Sequence, residues 1–362
     1  MLGPAPIWPC PPRTKAKLRI LDTYLGAWFG IIARQKNFPR VLYFDGFSGP
    51  GKYATGEEGS PLIALKHANN VCQLHPNFKP ILIFNDFDEK HSNYCRDLIN
   101  IMPRHPNISW HVINENFESI TNEMHKHLEG RWNYPILSFI DPFGIKGCGL
   151  NLIEKLLSYP RSECFINSMV GWANRFIEHQ DAGPHVADLL GGEHVRDVLT
   201  SKDRIGRITE IYENKLRNIV PYVRKFLMYD EGNVRDNILI FAGRHPKGFI
   251  KMKEAMWALD PIGGNRFSAH QAKREQSMGN LLAAVLTPQT SDLKRLLIEK
   301  LSSSPQMSVG ELIDFVERET DYLSKHCKLV LSELEATKEL AVLGSRRRGT
   351  WPHEMIVSRV NG

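Results

Sequence analysis

Three short segments of this 362-residue chain combine acidic residues, glycines and aromatics in arrangements that binding and transfer chemistry uses. The first, Asp45-Gly46-Phe47-Ser48-Gly49-Pro50-Gly51, directly follows the apolar run 41–44. Glycine lets a backbone come close to a ligand, and open α/β sheets bind ligands outside the carboxyl ends of their strands. Asp45, Gly46, Phe47, Gly49 and Gly51 are therefore expected to line a cofactor pocket, although the same glycines also suit a plain strand-to-helix turn. Their order, G-x-x-G-x-G, differs from the dinucleotide fingerprint G-x-G-x-x-G, and no acidic residue closes a strand about 20 residues onward. A nicotinamide oxidoreductase is disfavoured on both grounds.

The second segment, Asn85-Asp86-Phe87-Asp88, follows the strand-like run 81–84. A carboxylate there can accept hydrogen bonds from both ribose hydroxyls of an adenosine ligand. Asp88 is the first candidate and Asp86 the second, with one of the two expected to be only a loop or helix-cap residue. In Asn114-Glu115-Asn116-Phe117, Asn116 is placed either to meet an adenine ring or simply to cap the helix that follows. The third segment is Ser138-Phe139-Ile140-Asp141-Pro142-Phe143-Gly144. Asp141 followed by Pro142 offers a carboxylate and a carbonyl with no competing N–H, and Phe143 offers a ring. That set can hold an amino group and stack a flipped base. It can also be a proline-terminated strand with a capping aspartate. Cys148 lacks a preceding proline and reads as a buried thiol rather than a cytosine-attacking nucleophile.

Positioning these residues requires alternating strands and helices. Strand-like runs at 41–44, 81–85, 110–113, 136–140 and 164–167 are separated by helix-length segments at 61–71, 89–102, 118–129 and 150–159. An amphipathic helix at 15–35 precedes them. Such alternation predicts a parallel sheet covered on both faces. After a mostly helical stretch at 170–219, runs 223–229 and 238–242 are separated by too few residues for a helical crossover and should be antiparallel neighbours. A parallel sheet finished by an antiparallel hairpin is the methyltransferase variant of the Rossmann layout, which makes S-adenosylmethionine the expected cofactor.

The composition is that of a globular protein, with 42% hydrophobic and 24% charged residues. No apolar run approaches the roughly 20 residues needed to span a bilayer, and the N-terminus lacks signal-peptide order. A cytoplasmic protein without a membrane partner is expected. The six cysteines are scattered with no C-x-x-C pair, so neither a metal site nor a disulfide framework is expected. The net charge of +6 is unevenly spread: residues 1–40 hold seven Lys/Arg against one acidic residue, and residues 201–277 hold fifteen against nine. Such clustering permits contact with a polyanion.

The expected organisation is an extended arm at 1–14, a methyltransferase-like domain at 15–260, a connection at 261–290, a winged-helix-like domain at 291–352 and a tail at 353–362. Helices at 292–301, 309–319 and 322–336, then a β-ribbon from 341–344 to 350–351, give the winged helix-turn-helix order. Residues 291–352 balance ten Lys/Arg against ten Asp/Glu. Any nucleic-acid contact would therefore fall on Arg346, Arg347 and Arg348 at the ribbon tip, with Lys325 and Lys328 on the third helix; a protein-docking role is the alternative.

The chain resembles the three-Cys-motif partner proteins, which are encoded beside a separate protein that carries the cysteines. The resemblance rests on Tyr43-Phe44 with the glycine loop and Gly59-Ser60-Pro61, on Phe139-Ile140-Asp141-Pro142-Phe143-Gly144, and on Lys251-Met252-Lys253-Glu254-Ala255-Met256-Trp257. It implies a class I methyltransferase-like fold, S-adenosylmethionine as cofactor, and a separately encoded three-Cys-motif protein as a partner. Asp141-Pro142-Phe143 departs from the Asp/Asn-Pro-Pro-Tyr/Phe of adenine and cytosine N-methylases by lacking the second proline. Two functions follow: methyl transfer to a base nitrogen of DNA or RNA, or a catalytically degenerate fold that binds nucleic acid or the three-Cys partner.

Overall fold

The computed structural model describes residues 6–35, 37–192, 195–278, 287–347 and 349–360. Helix α1 (Pro12–Ala33) begins on prolines, which are pre-set for a first helical turn, and buries Leu18, Leu21, Leu25, Trp28, Phe29 and Ile32. It starts inside the expected arm.

Strands β1 (Arg40–Asp45), β2 (Lys79–Asn85) and β3 (Ser109–Ile113) alternate with helices α2 (Ser60–Leu74) and α3 (Glu89–Ile101). Helix α4 (Phe117–Leu128) then leads to β4 (Ile136–Ile140), and α5 (Leu150–Leu157) to β5 (Ser162–Ser168). Four helices follow: α6 (Val170–Phe176), α7 (Gly183–Leu189), α8 (Val195–Thr200) and α9 (Arg204–Ile219). Strands β6 (Tyr222–Tyr229) and β7 (Arg235–Gly243), helix α10 (Pro246–Leu259), β8 (Arg266–Ser268) and α11 (Ala269–Met278) complete the larger unit.

The eight strands form one sheet in the order β3-β2-β1-β4-β5-β7-β6-β8. Only β7 runs against the rest: it pairs antiparallel with β5 and β6, while β8 lies parallel to β6. This is the methyltransferase-like α/β arrangement, and the hairpin of β6 and β7 is its distinguishing feature. Alternate side chains feed two cores. Tyr43, Leu82, Phe139, Phe165 and Phe241 join α1, α2 and α10 on one face. Leu42, Phe44, Ile140, Ile166 and Ile240 join α4, α5 and α9 on the other. The chain leaves β1 for β2 on one side and reaches β4 on the other, so a crevice opens at the carboxyl ends of β1 and β4, where such sheets bind ligands.

The residues expected to form a connection instead extend the sheet through β8. Three residues carry too little periodicity to announce an edge strand. Helix α12 (Ser291–Ser303), β9 (Gln306–Ser308), α13 (Val309–Glu319), α14 (Ser324–Ala336), β10 (Leu340–Leu343) and β11 (Ile356–Arg359) form a smaller unit. Its sheet runs β10-β11-β9, antiparallel throughout. The residues expected to be a tail therefore supply the central strand, and 350–351 do not. The return strand lies beyond a long loop, not a tight ribbon turn, and its Val357 is fully buried against Leu297, Leu312 and Leu331.

Helix α10 fastens the two units together. The buried Lys253 ammonium donates to the carbonyls of Val316 (3.3 Å), Glu317 (2.9 Å) and Thr320 (2.8 Å) at the end of α13. Trp257 Nε1 donates to the Asp321 carbonyl at 2.9 Å, and its ring centroid lies 4.0 Å from that of His326. The buried Arg224 of β6 reaches Asp321 at 2.5 Å and the Gly264 carbonyl at 2.6 Å. Replacing Lys253 by Met keeps the stem's apolar volume but strips three carbonyls of their donor. It is expected to cost about 2–3 kcal/mol, read as a lower urea midpoint together with faster amide exchange in α13.

Candidate functional site

The glycine loop leaves β1 at the crevice, and its shape is set by what it must touch. A Cβ at Gly46 would meet the Phe117 ring at 2.7 Å, so only glycine lets the loop lie against α4. Gly49 has φ +58°, a left-handed conformation that costs glycine little, and this aims its N–H at Asp86 Oδ2, 2.8 Å away. Ser48 N donates to the Asn85 carbonyl at 2.8 Å, and Asn85 Nδ2 bridges the Gly46 and Glu115 carbonyls. The three loops after β1, β2 and β3 are thus cross-linked through Asn85 and Asp86.

Asp88 is the N-cap of α3. Its Oδ1 accepts from Lys90 N (2.8 Å) and His91 N (3.4 Å), leaving Oδ2 outside the cap. Those N–H groups hold its carboxyl below the usual range. Asp86 is buried, with Oδ1 accepting from Asp88 N at 2.9 Å and His91 Nδ1 at 3.3 Å. Asn116 caps α4 by accepting from Ser119 N at 2.8 Å. Phe47 packs on Phe117 at 4.9 Å between centroids, whereas Phe87 stands 75% exposed at the rim.

Asp45 and Asp141 complete an acidic cluster. Asp45 is fully buried at the end of β1. Burial raises its carboxyl to about 7; the Ser60 hydroxyl pulls it down, and the nearby Asp141 and Asp86 charges push it further up. Asp141, just past β4, is ion-paired with the buried Lys17 of α1 through Oδ2 and accepts from Asn167 Nδ2 at 2.8 Å through Oδ1. The chain of contacts continues from Asn237 Nδ2 to Asn167 Oδ1 at 3.1 Å, and from Arg13 Nη1 to Asn237 Oδ1 at 3.2 Å. Lys17, Asn167 and Asn237 carried no sequence signal, because each comes from an element far from the motifs.

A cavity of about 240 Å³ opens beside Asp141, Pro142 and Phe143, with Trp8, Lys17, Tyr53 and Met228 also on its walls. Trp8 spans it: its ring lies 6.0 Å from Tyr53, 5.4 Å from His91 and 6.1 Å from Phe143. The arm is pinned there by Ala54 N to Trp8 O at 2.9 Å and Cys10 N to Thr55 Oγ1 at 3.1 Å. Phe143 is 66% exposed. Cys148 is buried, as are the other five cysteines, all free. Among the described residues, no group could hold a metal ion and no helix is long and apolar enough to cross a membrane.

The basic residues of the smaller unit do not act as one cluster. Arg346 is turned inward: it pairs with Glu335 at 2.6 Å, donates to the Thr350 carbonyl at 2.7 Å and lies 4.0 Å over the Trp351 ring. This corrects the expectation that it grips phosphates. Arg347 and Lys325 are exposed and Lys328 is half-buried, while Arg348 lies outside the described residues.

No family model matches the chain, and no curated protein does. Solved structures with partial similarity include a Staphylococcus aureus protein assigned as a caffeoyl-CoA O-methyltransferase, 12% identical, covering 60% of this chain and 82% of that one with a TM-score of 0.29. An SAH-bound Podospora anserina methyltransferase is 16% identical, covering 61% and 78%, with a TM-score of 0.28. A Listeria monocytogenes protein assigned as a class I S-adenosylmethionine-dependent methyltransferase is 11% identical, covering 66% and 61%, with a TM-score of 0.31. Similarity at this level bears on neither activity nor substrate, and the methyltransferase-like layout of this chain rests on its own strand order and reversed β7.

Proposed function

We propose that this chain binds S-adenosylmethionine and transfers its methyl group to a nitrogen of a nucleic-acid base. The observation that carries this reading is the convergence of Asp45, Asp86 and Asp141 around a glycine loop, at the carboxyl ends of three neighbouring parallel strands. A cationic adenosine derivative fits that set of acceptors: carboxylates attract its sulfonium and ammonium charges, and the open Oδ2 of Asp88 can accept from a ribose hydroxyl. Asp86 would hold Gly49 in place, and Asn116 would flank the adenine. S-adenosylmethionine, once bound, supplies a methyl group already activated for transfer. What remains for the protein is alignment. Asp141 and its carbonyl would hold the acceptor amine, with Phe143 and Trp8 as ring surfaces.

The smaller unit supports a nucleic-acid acceptor if its α12, α13 and α14 with the β10-β11-β9 sheet act as a winged helix, with α14 as the recognition helix. A second reading, a non-catalytic partner of a three-Cys-motif protein, is favoured by one observation: both Asp141 oxygens are already taken, by Lys17 and Asn167. Transfer would require the acceptor to displace Lys17.

Calorimetry is expected to detect S-adenosylmethionine binding. Asp88→Asn keeps the helix cap and should weaken binding about tenfold, about 1.4 kcal/mol. Asp141→Asn should leave affinity within about threefold while abolishing transfer of labelled methyl to DNA or RNA. Absence of binding overturns the cofactor assignment, and binding without transfer to any nucleic acid selects the second reading.

Asp45 gives a pH signature. Its folded pKa, about 7, lies above its ordinary value of 3.8, so the folded chain holds a proton that the unfolded chain has lost between those limits. Stability from this group is full below pH 4 and declines as pH rises towards 7. The melting temperature of Asp45→Asn relative to the parent should therefore climb from pH 4 to pH 7 and level off above.

For the nucleic-acid reading, replacing Lys325, Lys328 and Arg347 together by Ala should flatten the salt dependence of DNA or RNA binding by up to about 0.9 units of slope per lost phosphate contact. Arg346→Ala should instead lower the melting temperature and leave the slope unchanged.

A further inference from the structure

The opposite edge of the sheet, at the amino end of β5, holds a separate cavity of about 340 Å³ between α1 and the start of α10. Trp28, Ile31, Ile32 and Phe38 give it apolar walls. At its floor β5 presents Glu163, 7% exposed, whose Oε2 accepts from the Tyr24 hydroxyl at 2.5 Å. Helix α10 comes so close that a Cβ at Gly248 would overlap Glu163 Oε1, so the carboxyl fits only because that residue is glycine. Burial raises Glu163 to about 7, against hydrogen bonds from Tyr24 and Trp28 that pull it down. Near neutral pH the group is thus shared between a form that can donate and a form that only accepts.

The mouth is cationic and unneutralised. Arg161, Arg244 and Lys247 all line it. Arg161 donates to Asn133 and lies 4.8 Å over Phe38, and Arg244 donates to the Leu157 carbonyl at 3.0 Å. The Lys247 ammonium is exposed and makes no hydrogen bond or ion pair among the described residues, and no described carboxylate pairs with any of the three. Lys251 beside them is the contrast, paired with Glu254 at 2.7 Å. Like charges brought together repel, and an anion at the mouth would relieve them. A ligand that satisfies the whole cavity needs an apolar body, a hydrogen-bonding edge on it, and an anionic group. The volume suits a small organic ligand.

We propose that this cavity is a nucleotide-binding site: a nucleobase occupies the slot with its edge on Glu163, and its phosphate meets Arg161, Arg244 and Lys247. The site lies across the sheet from the acidic cluster and is independent of the methyltransferase reading. A free mononucleotide and the phosphorylated end of a strand share this chemistry.

The test is calorimetry on the full chain with AMP, GMP, CMP and UMP, and with a six-nucleotide RNA and DNA bearing or lacking a 5′-phosphate. S-adenosylmethionine is kept saturating wherever it binds, so that adenine nucleotides do not report on the other site. Two variants accompany the parent: Lys247→Glu, a surface change, and Ile31→Trp, which fills the slot. At least one nucleotide is expected to bind saturably, and each variant should weaken it at least tenfold while S-adenosylmethionine affinity stays unchanged. Tighter binding of the 5′-phosphorylated strand than of any mononucleotide, lost in the same variants, assigns a strand end; the reverse order assigns a free nucleotide. The proposal is overturned if no probe binds, or if binding survives Lys247→Glu. Should Ile31→Trp fail to fold, Lys247→Glu alone decides.

Discussion

Three aspartates within one electrostatic neighbourhood repel one another, and the upper edge of the sheet is arranged around that repulsion. Each is handled by a different device. Asp45 is buried, which raises its carboxyl to about 7, Asp86 is wrapped by backbone N–H groups, and Asp141 is matched by Lys17. The third device reaches furthest, because Lys17 belongs to α1. The first helix is therefore held to the sheet by apolar packing along its length and by a buried charge near its start. Trp8, nine residues before Lys17, is placed by the same docking.

The remaining polar groups follow from those assignments. Asn167 and Asn237 stand on neighbouring antiparallel strands, β5 and β7, and pass hydrogen bonds from Asp141 to Arg13. Such a relay depends on the reversal of β7, which brings a strand's beginning beside another strand's end. A wholly parallel sheet would put Asn237 at the far edge.

Strand identity was legible in the sequence wherever apolar runs were long and loops short. β4 matches its expected bounds, and the gap between β6 and β7 disclosed their antiparallel pairing. Features that depend on distant partners were not legible. Asp88 reads first as a ribose ligand, and only the bonds from Lys90 N and His91 N show that it also caps α3. Arg346 reads as a ribbon-tip cation until Glu335 and Trp351 turn it inward. β8 and β11 were hidden by their brevity: three or four residues have no measurable period, and neighbours made them strands. Nothing in the spacing of Lys17 or Asn167 foretold their meeting at Asp141.

The fastening between the two units has an evolutionary corollary. Lys253 grips α13 only through main-chain oxygens, and Trp257 likewise takes the Asp321 carbonyl. Carbonyls are present whatever side chains a helix carries. The exposed face of the smaller unit is accordingly free to vary in sequence, and so to acquire or change a partner, without loosening its seat on the sheet domain. Position 253 must keep a long stem ending in several donors, whereas the side chains at 317 and 320 take no part in that grip; the smaller unit's own side-chain contributions to the joint are Asp321, paired with Arg224, and His326, packed on the Trp257 ring.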